Sequence, residues 1–142
     1  MADTTEKKIF QALARAMQDF VPPAGVTVVI PGQAFTPQSN SKFVSIEIHF
    51  NRSIETDLSL QLDPIRQGFM RANVMWPKAA AIVDAYNLAG SIRAYLKRGS
   101  KVIRDDVQVR IDEDPEISVL VTGDTHFTVP VTIRWRCFFQ PA

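Results

Sequence analysis

Cysteine occurs once in the 142 residues, at Cys137, so no disulfide can close within the chain. The bridge framework of a small secreted protein is therefore missing, and a reducing compartment is the expected setting. Histidine is nearly as scarce, with only His49 and His126. No apolar run approaches the roughly 20 residues that span a bilayer. The opening residues MADTTEKKIF are polar and charged, without the apolar centre of a signal peptide. The expectation is a soluble protein made in a cytoplasm, with no membrane partner. An excess of one charge is also lacking. The formal net charge is +1, which argues against a dedicated nucleic-acid binder, since such proteins carry a basic surplus to displace counterions. No Walker loop, GxGxxG or GxSxG occurs, so the common nucleotide and hydrolase fingerprints are absent.

What is present is ordinary globular material. Hydrophobic residues make up 46% and charged residues 22%, both typical. The length fits a single domain over residues 1–142, large enough to bury about 68–70% of its unfolded surface.

The first periodic segment runs from Glu6 to Phe20. Ile9, Leu13, Met17 and Phe20 recur at helical spacing, with Ala12 and Ala16 widening the stripe. Asp3 and Glu6 have the spacing of a capping box, and Val21-Pro22-Pro23 stops the helix. Val26 to Ile30 reads as a short β-branched strand, and Gln33 to Ser41 as a loop. Lys42 to Phe50 alternates, with Val44, Ile46, Ile48 and Phe50 on one side and Ser45, Glu47 and His49 on the other. Asn51 to Gln67 loses periodicity and reads as a long loop.

Alternation returns at Gly68 to Trp76. A second helix is expected over Lys78 to Leu96, with Ile82, Ala85, Tyr86, Ala89, Ile92 and Leu96 at its spacing and Arg98-Gly99 at its end. Three strands follow: Val107 to Ile111, Ile117 to Val121, and His126 to Phe138. In the last, Val129, Val131, Ile133, Trp135 and Cys137 share one face, opposite Thr128, Thr132, Arg134 and Arg136. Each apolar helix stripe must be buried, and the apolar strand faces are the available partner. The expected fold is α+β, a mostly antiparallel β-sheet with two α-helices packed on one face.

Chemistry is thin. His49, His126 and Cys137 would suggest a metal or a nucleophile–base pair only if they met. Cys137 alternates with Ile133 and Trp135 and reads as a core thiol. The carboxylates Asp105, Asp106, Asp112, Glu113 and Asp114 sit beside turns, where solvated charge is the default, and the second group lacks the ligand spacing of an EF-hand. No catalytic residue, metal site or cofactor is expected. Charge distribution says more. Arg93, Lys97, Arg98, Lys101 and Arg104 precede Asp105, Asp106, Asp112, Glu113, Asp114 and Glu116. Opposed segments of this kind suit a head-to-tail contact between copies; the alternative is a solvated helix end beside a solvated turn. Arg134 and Arg136 would meet DNA phosphates or an acidic partner if their face lined a lumen, and solvent if not.

The chain resembles the tail terminator proteins of long-tailed, non-contractile bacteriophages. The resemblance is carried by the helix bearing Ile9, Leu13 and Met17, and by Phe35-Thr36-Pro37 leading into the strand Phe43 to Phe50. It continues in Gly68-Phe69-Met70-Arg71-Ala72-Asn73-Val74 before an alanine-rich helix. Most specific is the closing Val129-Pro130-Val131-Thr132-Ile133-Arg134-Trp135-Arg136. It covers Lys7 to Arg136; the loop from Asn51 to Gln67 departs from it in length. The resemblance implies a structural virion protein and no cofactor. It implies a homohexameric ring on the head-proximal end of the tail tube, built in the bacterial host cytoplasm. Its partners would be its own copies, the tail tube protein, the head–neck connector, and DNA passing through the lumen without sequence-specific binding. Two other functions remain open on the residues alone: another neck or minor tail protein, and a small ligand-binding or enzymatic domain.

Overall fold

The computed structural model describes residues 4–51 and 66–139, and Phe138 and Phe139 as backbone only. Helix α1 (Thr5–Asp19) precedes strands β1 (Val26–Val29), β2 (Lys42–Phe50) and β3 (Gln67–Pro77). Helix α2 (Ile82–Tyr95) follows, then β4 (Lys101–Arg104), β5 (Val107–Ile111), β6 (Glu116–Ile117), β7 (Val121–Thr122) and β8 (His126–Phe139). All eight strands belong to one sheet of order β1-β2-β3-β8-β5-β4, with β6 and β7 also paired to β8. The β1–β2 pairing is parallel and all the others are antiparallel. This is the expected α+β arrangement.

Strand β8 holds the sheet together. One edge pairs with β3 from His126 to Arg136, and the other takes β7, β6 and β5 in turn. Its alternation sends Val129, Val131, Ile133, Trp135 and Cys137 into the core, all at 3% exposure or less. Cross-strand partners continue that layer: Met70 faces Ile133, Ala72 faces Val131 and Val74 faces Val129. Val44, Ile46, Val107, Val109 and Ile111 extend it on β2 and β5.

The helices cover this apolar layer. From α1 come Ile9, Ala12, Leu13, Ala14, Ala16 and Met17; from α2 come Ala85, Leu88, Ala89 and Ile92. The two helices also meet each other, where the Tyr95 hydroxyl donates to the Ala16 carbonyl at 2.7 Å and its ring packs on Phe20. Tyr86, expected in the α2 stripe, is exposed, and Leu88 occupies the core instead.

Several boundaries differ from expectation for identifiable reasons. The N-cap of α1 is Thr4, whose hydroxyl accepts from the Lys7 amide at 3.2 Å; Asp3 lies outside the described residues. Helix α2 begins at Ile82 because residues 78–80 form a turn and Ala81 is extended, pinned by the Trp76 indole donating to the Ala81 carbonyl. Strand β4 was not expected. It forms because Asp105-Asp106 makes a two-residue hairpin turn between Arg104 and Val107, with Asp105 at φ 54°. The strand expected over Ile117 to Val121 is broken into β6 and β7. The Pro130 carbonyl faces this side and accepts from the Ser118 amide, so its missing N–H also falls here. A proline cannot complete the ladder, and the partner strand separates opposite it. The expected loop over Asn51 to Gln67 lies outside the described residues except for its ends.

Gly68 is a fixed requirement of this packing. It pairs with Phe50 on one side and Trp135 on the other. A Cβ there would overlap the His49 carbonyl oxygen and stand 2.7 Å from Trp135 Cζ2. Gly68→Ala is expected to destabilise the fold by about 3 kcal/mol or more, measured by denaturant unfolding. The Cys137 thiol is pushed up to about 11 from 9.0, chiefly by burial. Its reagent labelling at neutral pH should proceed only as fast as the protein unfolds. Because the unfolded thiol ionises first, stability should fall as pH rises from about 9 to about 11, and Cys137→Ala should flatten that part of the profile.

Candidate functional site

Helices cover one face of the sheet, and the other face carries most of the polar chemistry. Strand alternation builds it in rows across neighbouring strands. Ser45, Asn73 and Pro130 form one row; Glu47, Arg71, Thr132 and Glu116 form the next. His49, Phe69 and Arg134 form a third. A fourth, further along, comprises Lys101, Arg110 and Arg136. Within and between these rows the side chains are tied together. Asn73 donates to Glu47 at 2.6 Å, His49 stacks on Phe69, and the Arg71 guanidinium lies 5.1 Å from the Phe69 ring centre.

The histidine–thiol trio is dispersed. His49 pairs with Phe69 and His126 with Pro77, at opposite ends of β3, eight residues apart; at about 3.3 Å per residue the two are some 26 Å apart. His126 is buried, with its ring hydrogen-bonded to the Ser41 carbonyl at 2.7 Å and the Thr125 hydroxyl at 2.9 Å. It therefore sits enclosed at the end of the sheet, with its ring against Phe43. Cys137 points into the core at the far end of β8. Among the described residues no group of three His, Cys, Asp or Glu side chains is placed to hold a metal.

The acidic segment folds back onto cations of its own chain. Asp112 lies 3.4 Å from Arg136; Glu113 and Glu116 lie 3.8 Å and 3.5 Å from Arg134. Asp114 accepts from the Arg98 amide at 3.0 Å and approaches Arg93, which itself donates to the Pro115 carbonyl. Lys8 donates to Asp106 at 2.6 Å, and this hydrogen bond holds the Asp106 carboxyl below its ordinary range. Arg66 does the same for Glu6. Lys97, Lys101 and Arg104 make no ion pair among the described residues. Alternation along β4 separates two of them: Lys101 is on the open face, opposite Arg110, whereas Arg104 opposes core-facing Val107 and emerges on the helix side.

Beside β6 and β7 the open face carries a shallow groove of about 620 Å³, lined by Arg71, Asn73, Thr128, Pro130 and the exposed Val119 and Val121. A second groove of about 520 Å³ is lined by Arg98, Lys101, Arg110 and Arg136 together with Asp112 and Glu113. Both are wide open to solvent and neither gathers the acid, base and nucleophile that a reaction would need. The internal pairing of the acidic segment was not legible in sequence.

A solved structure matches 96% of this chain and 95% of its own, with a TM-score of 0.72 at 18% sequence identity, which shows a shared fold. No curated protein sequence matches the chain. The family model described as phage tail terminator protein matches residues 8–135. The chain therefore belongs to the phage tail terminator family, structural and non-enzymatic proteins of the virion tail that engage the tail tube.

Proposed function

We propose that this protein closes into a ring, six copies around, at the head-proximal end of the tail tube. There it ends tube polymerisation and offers the docking surface for the head–neck connector. The observation that carries the reading is the one-sided sheet. Helices cover only one face, and β1 and β4 stand as edges at its two ends. A subunit with different surfaces at its two ends makes heterologous contacts, which close into a ring when the rotation between copies allows. One rim would copy a tube layer closely enough to bind the last ring of tube protein, while the other lacks that surface, so growth stops.

For the contact between copies we place the basic edge, Lys97 and Arg104, against the neighbour's acidic segment from Asp112 to Glu116. Both cations are exposed and make no ion pair among the described residues. The carboxylates facing them already have partners, but those side chains are 43–66% exposed. Exposed pairs contribute about 0–1 kcal/mol each, so a neighbour's cation can replace them at small cost.

Electron microscopy of the concentrated protein, alone or on tail tubes, should show closed six-fold particles, and labelled protein should sit at the head-proximal tip of virions. Lys97→Glu combined with Arg104→Glu should leave the fold intact and shift assembly toward monomer in sedimentation. Undiminished rings in that double variant would exclude the pairing, and another protein found capping the tube would exclude the terminator role.

A further inference from the structure

Helix α2 lacks the charged outer side that a surface helix carries. Its 14 residues hold two charges, Asp84 and Arg93, where the 15 residues of α1 hold five. Away from the core it presents Val83, Asn87, Gly90 and Ala94, spaced i, i+4, i+7 and i+11, with Tyr86 beside them. Val83 is 69% exposed, and the Ser91 hydroxyl at the margin already donates to the Asn87 carbonyl at 3.0 Å. A helix that is uncharged and largely apolar on its outer side as well as its inner one is built to be covered on both. Gly90 points the same way. Glycine weakens a helix interior relative to alanine, and a Cβ at this position would meet nothing within 4 Å outside its own helix backbone among the described residues. The packing of the chain itself has no use for glycine there, whereas a closely approaching neighbour does.

A second apolar surface lies behind the first, across the sheet. Helix α2 packs on β3, β8 and β6 from the core side. The groove of about 620 Å³ that exposes Val119 and Val121 lies over the same three strands on the open face. Its floor runs from the Glu116–Thr132 pair to the Val121–Thr128 pair, four residues of β8 or about 13 Å. From Tyr86 to Ala94 the helix rises about 12 Å, so the two surfaces match in length. Surfaces on opposite sides of one subunit meet only between copies, and the contact then repeats head to tail. We propose that the outer side of α2 seats in the groove beside Val119 and Val121 of the next copy and forms the apolar half of the subunit contact. The inference rests on the ring reading and deepens it. Charge complementarity commits the groove to a second copy and sets the direction of its helix. Where Lys97, two residues past α2, meets the neighbour's acidic segment, it stands at the Glu116 end of the groove, because that segment ends there. The last turn of α2 then lies at the Glu116 end and Val83 at the Val121 end. In that direction Arg71, which makes no ion pair among the described residues, faces the negative end of the helix dipole.

The test is disulfide trapping in the full chain, at the concentration or on the tail tubes where rings are scored. A chain with both Val83→Cys and Val121→Cys should oxidise to a ladder of covalent oligomers. Chains with either substitution alone should stay uncrosslinked; the buried Cys137 is common to all of them. Crosslinking by Val83→Cys alone indicates a two-fold helix pairing and overturns the proposal, as does a double variant that forms no ladder. Gly90→Leu supplies an independent measurement. Its side chain enters open space, so the melting temperature of the dilute chain should hold or rise, while association in sedimentation weakens about tenfold or more. Undiminished association of Gly90→Leu overturns the proposal, and if that variant also loses tail tubes the face belongs to the tube protein. Ring closure is scored separately by electron microscopy. Rings without a ladder remove this contact and leave the ring reading standing; a ladder without closed rings supports the contact and counts against the ring alone.

Discussion

Every part of this molecule depends on β8 being paired along both edges. Eleven consecutive residues of that strand are matched to β3, and its other edge is divided among three strands. A strand in that position cannot slip by one residue without turning Val129, Val131, Ile133 and Trp135 out of the core and Arg134 and Arg136 into it. Burying two unpaired guanidinium groups costs far more than any local gain from a shifted register. The register is therefore fixed, and with it the rows of the open face. Lys101, Arg110 and Arg136 are neighbours only because Ile111 is held against Trp135 and Val109 against Cys137.

Much of this was legible in the sequence because periodicity reports burial directly. The stripe on α1 and the alternation of β2, β3 and β8 follow from side-chain direction alone. The features that escaped depend on partners distant in sequence. Strand β4 has one inward apolar residue, Val102, flanked by Lys101, Ile103 and Arg104; four residues of mixed character carry too little pattern to register. The break between β6 and β7 is caused by Pro130, more than eight residues downstream of Val121, and nothing within Ile117 to Val121 announces it. His126 sits in a polar position of an alternating strand, yet the chain around Ser41 and Phe43 folds over it.

Charge was the least legible property of all. Read along the chain, the basic segment from Arg93 to Arg104 and the acidic segment from Asp105 to Glu116 look like two halves of a contact between copies. In three dimensions the acidic segment turns back over β8 and meets Arg134 and Arg136, which had been read separately as a free face. Sequence adjacency shows that charges exist but not which are spent locally. The sequence-based reading treated eleven charged residues as one interface; the fold sorts them by side, with Lys101 toward the open face, Arg104 toward the helices, and Asp114 bonded just past the end of α2.

That sorting leaves the two sides of the sheet and its edges with different chemistry. A sheet with both faces covered would bury its rows and leave only loops to meet partners. Among the described residues the helices supply most of the hydrophobic cover, from one side, so stability does not require the other side to be apolar. The open face is then free to carry polar rows, and the edges are free to carry charge. Charge on β4, through Lys101 and Arg104, also guards against indiscriminate pairing of an exposed edge. A neighbour that joins there must answer those cations with carboxylates, and such a requirement selects orientation more strongly than it adds affinity. In the proposed role, selecting one orientation is the central demand, because a subunit accepted in either direction would extend the tube it is proposed to end.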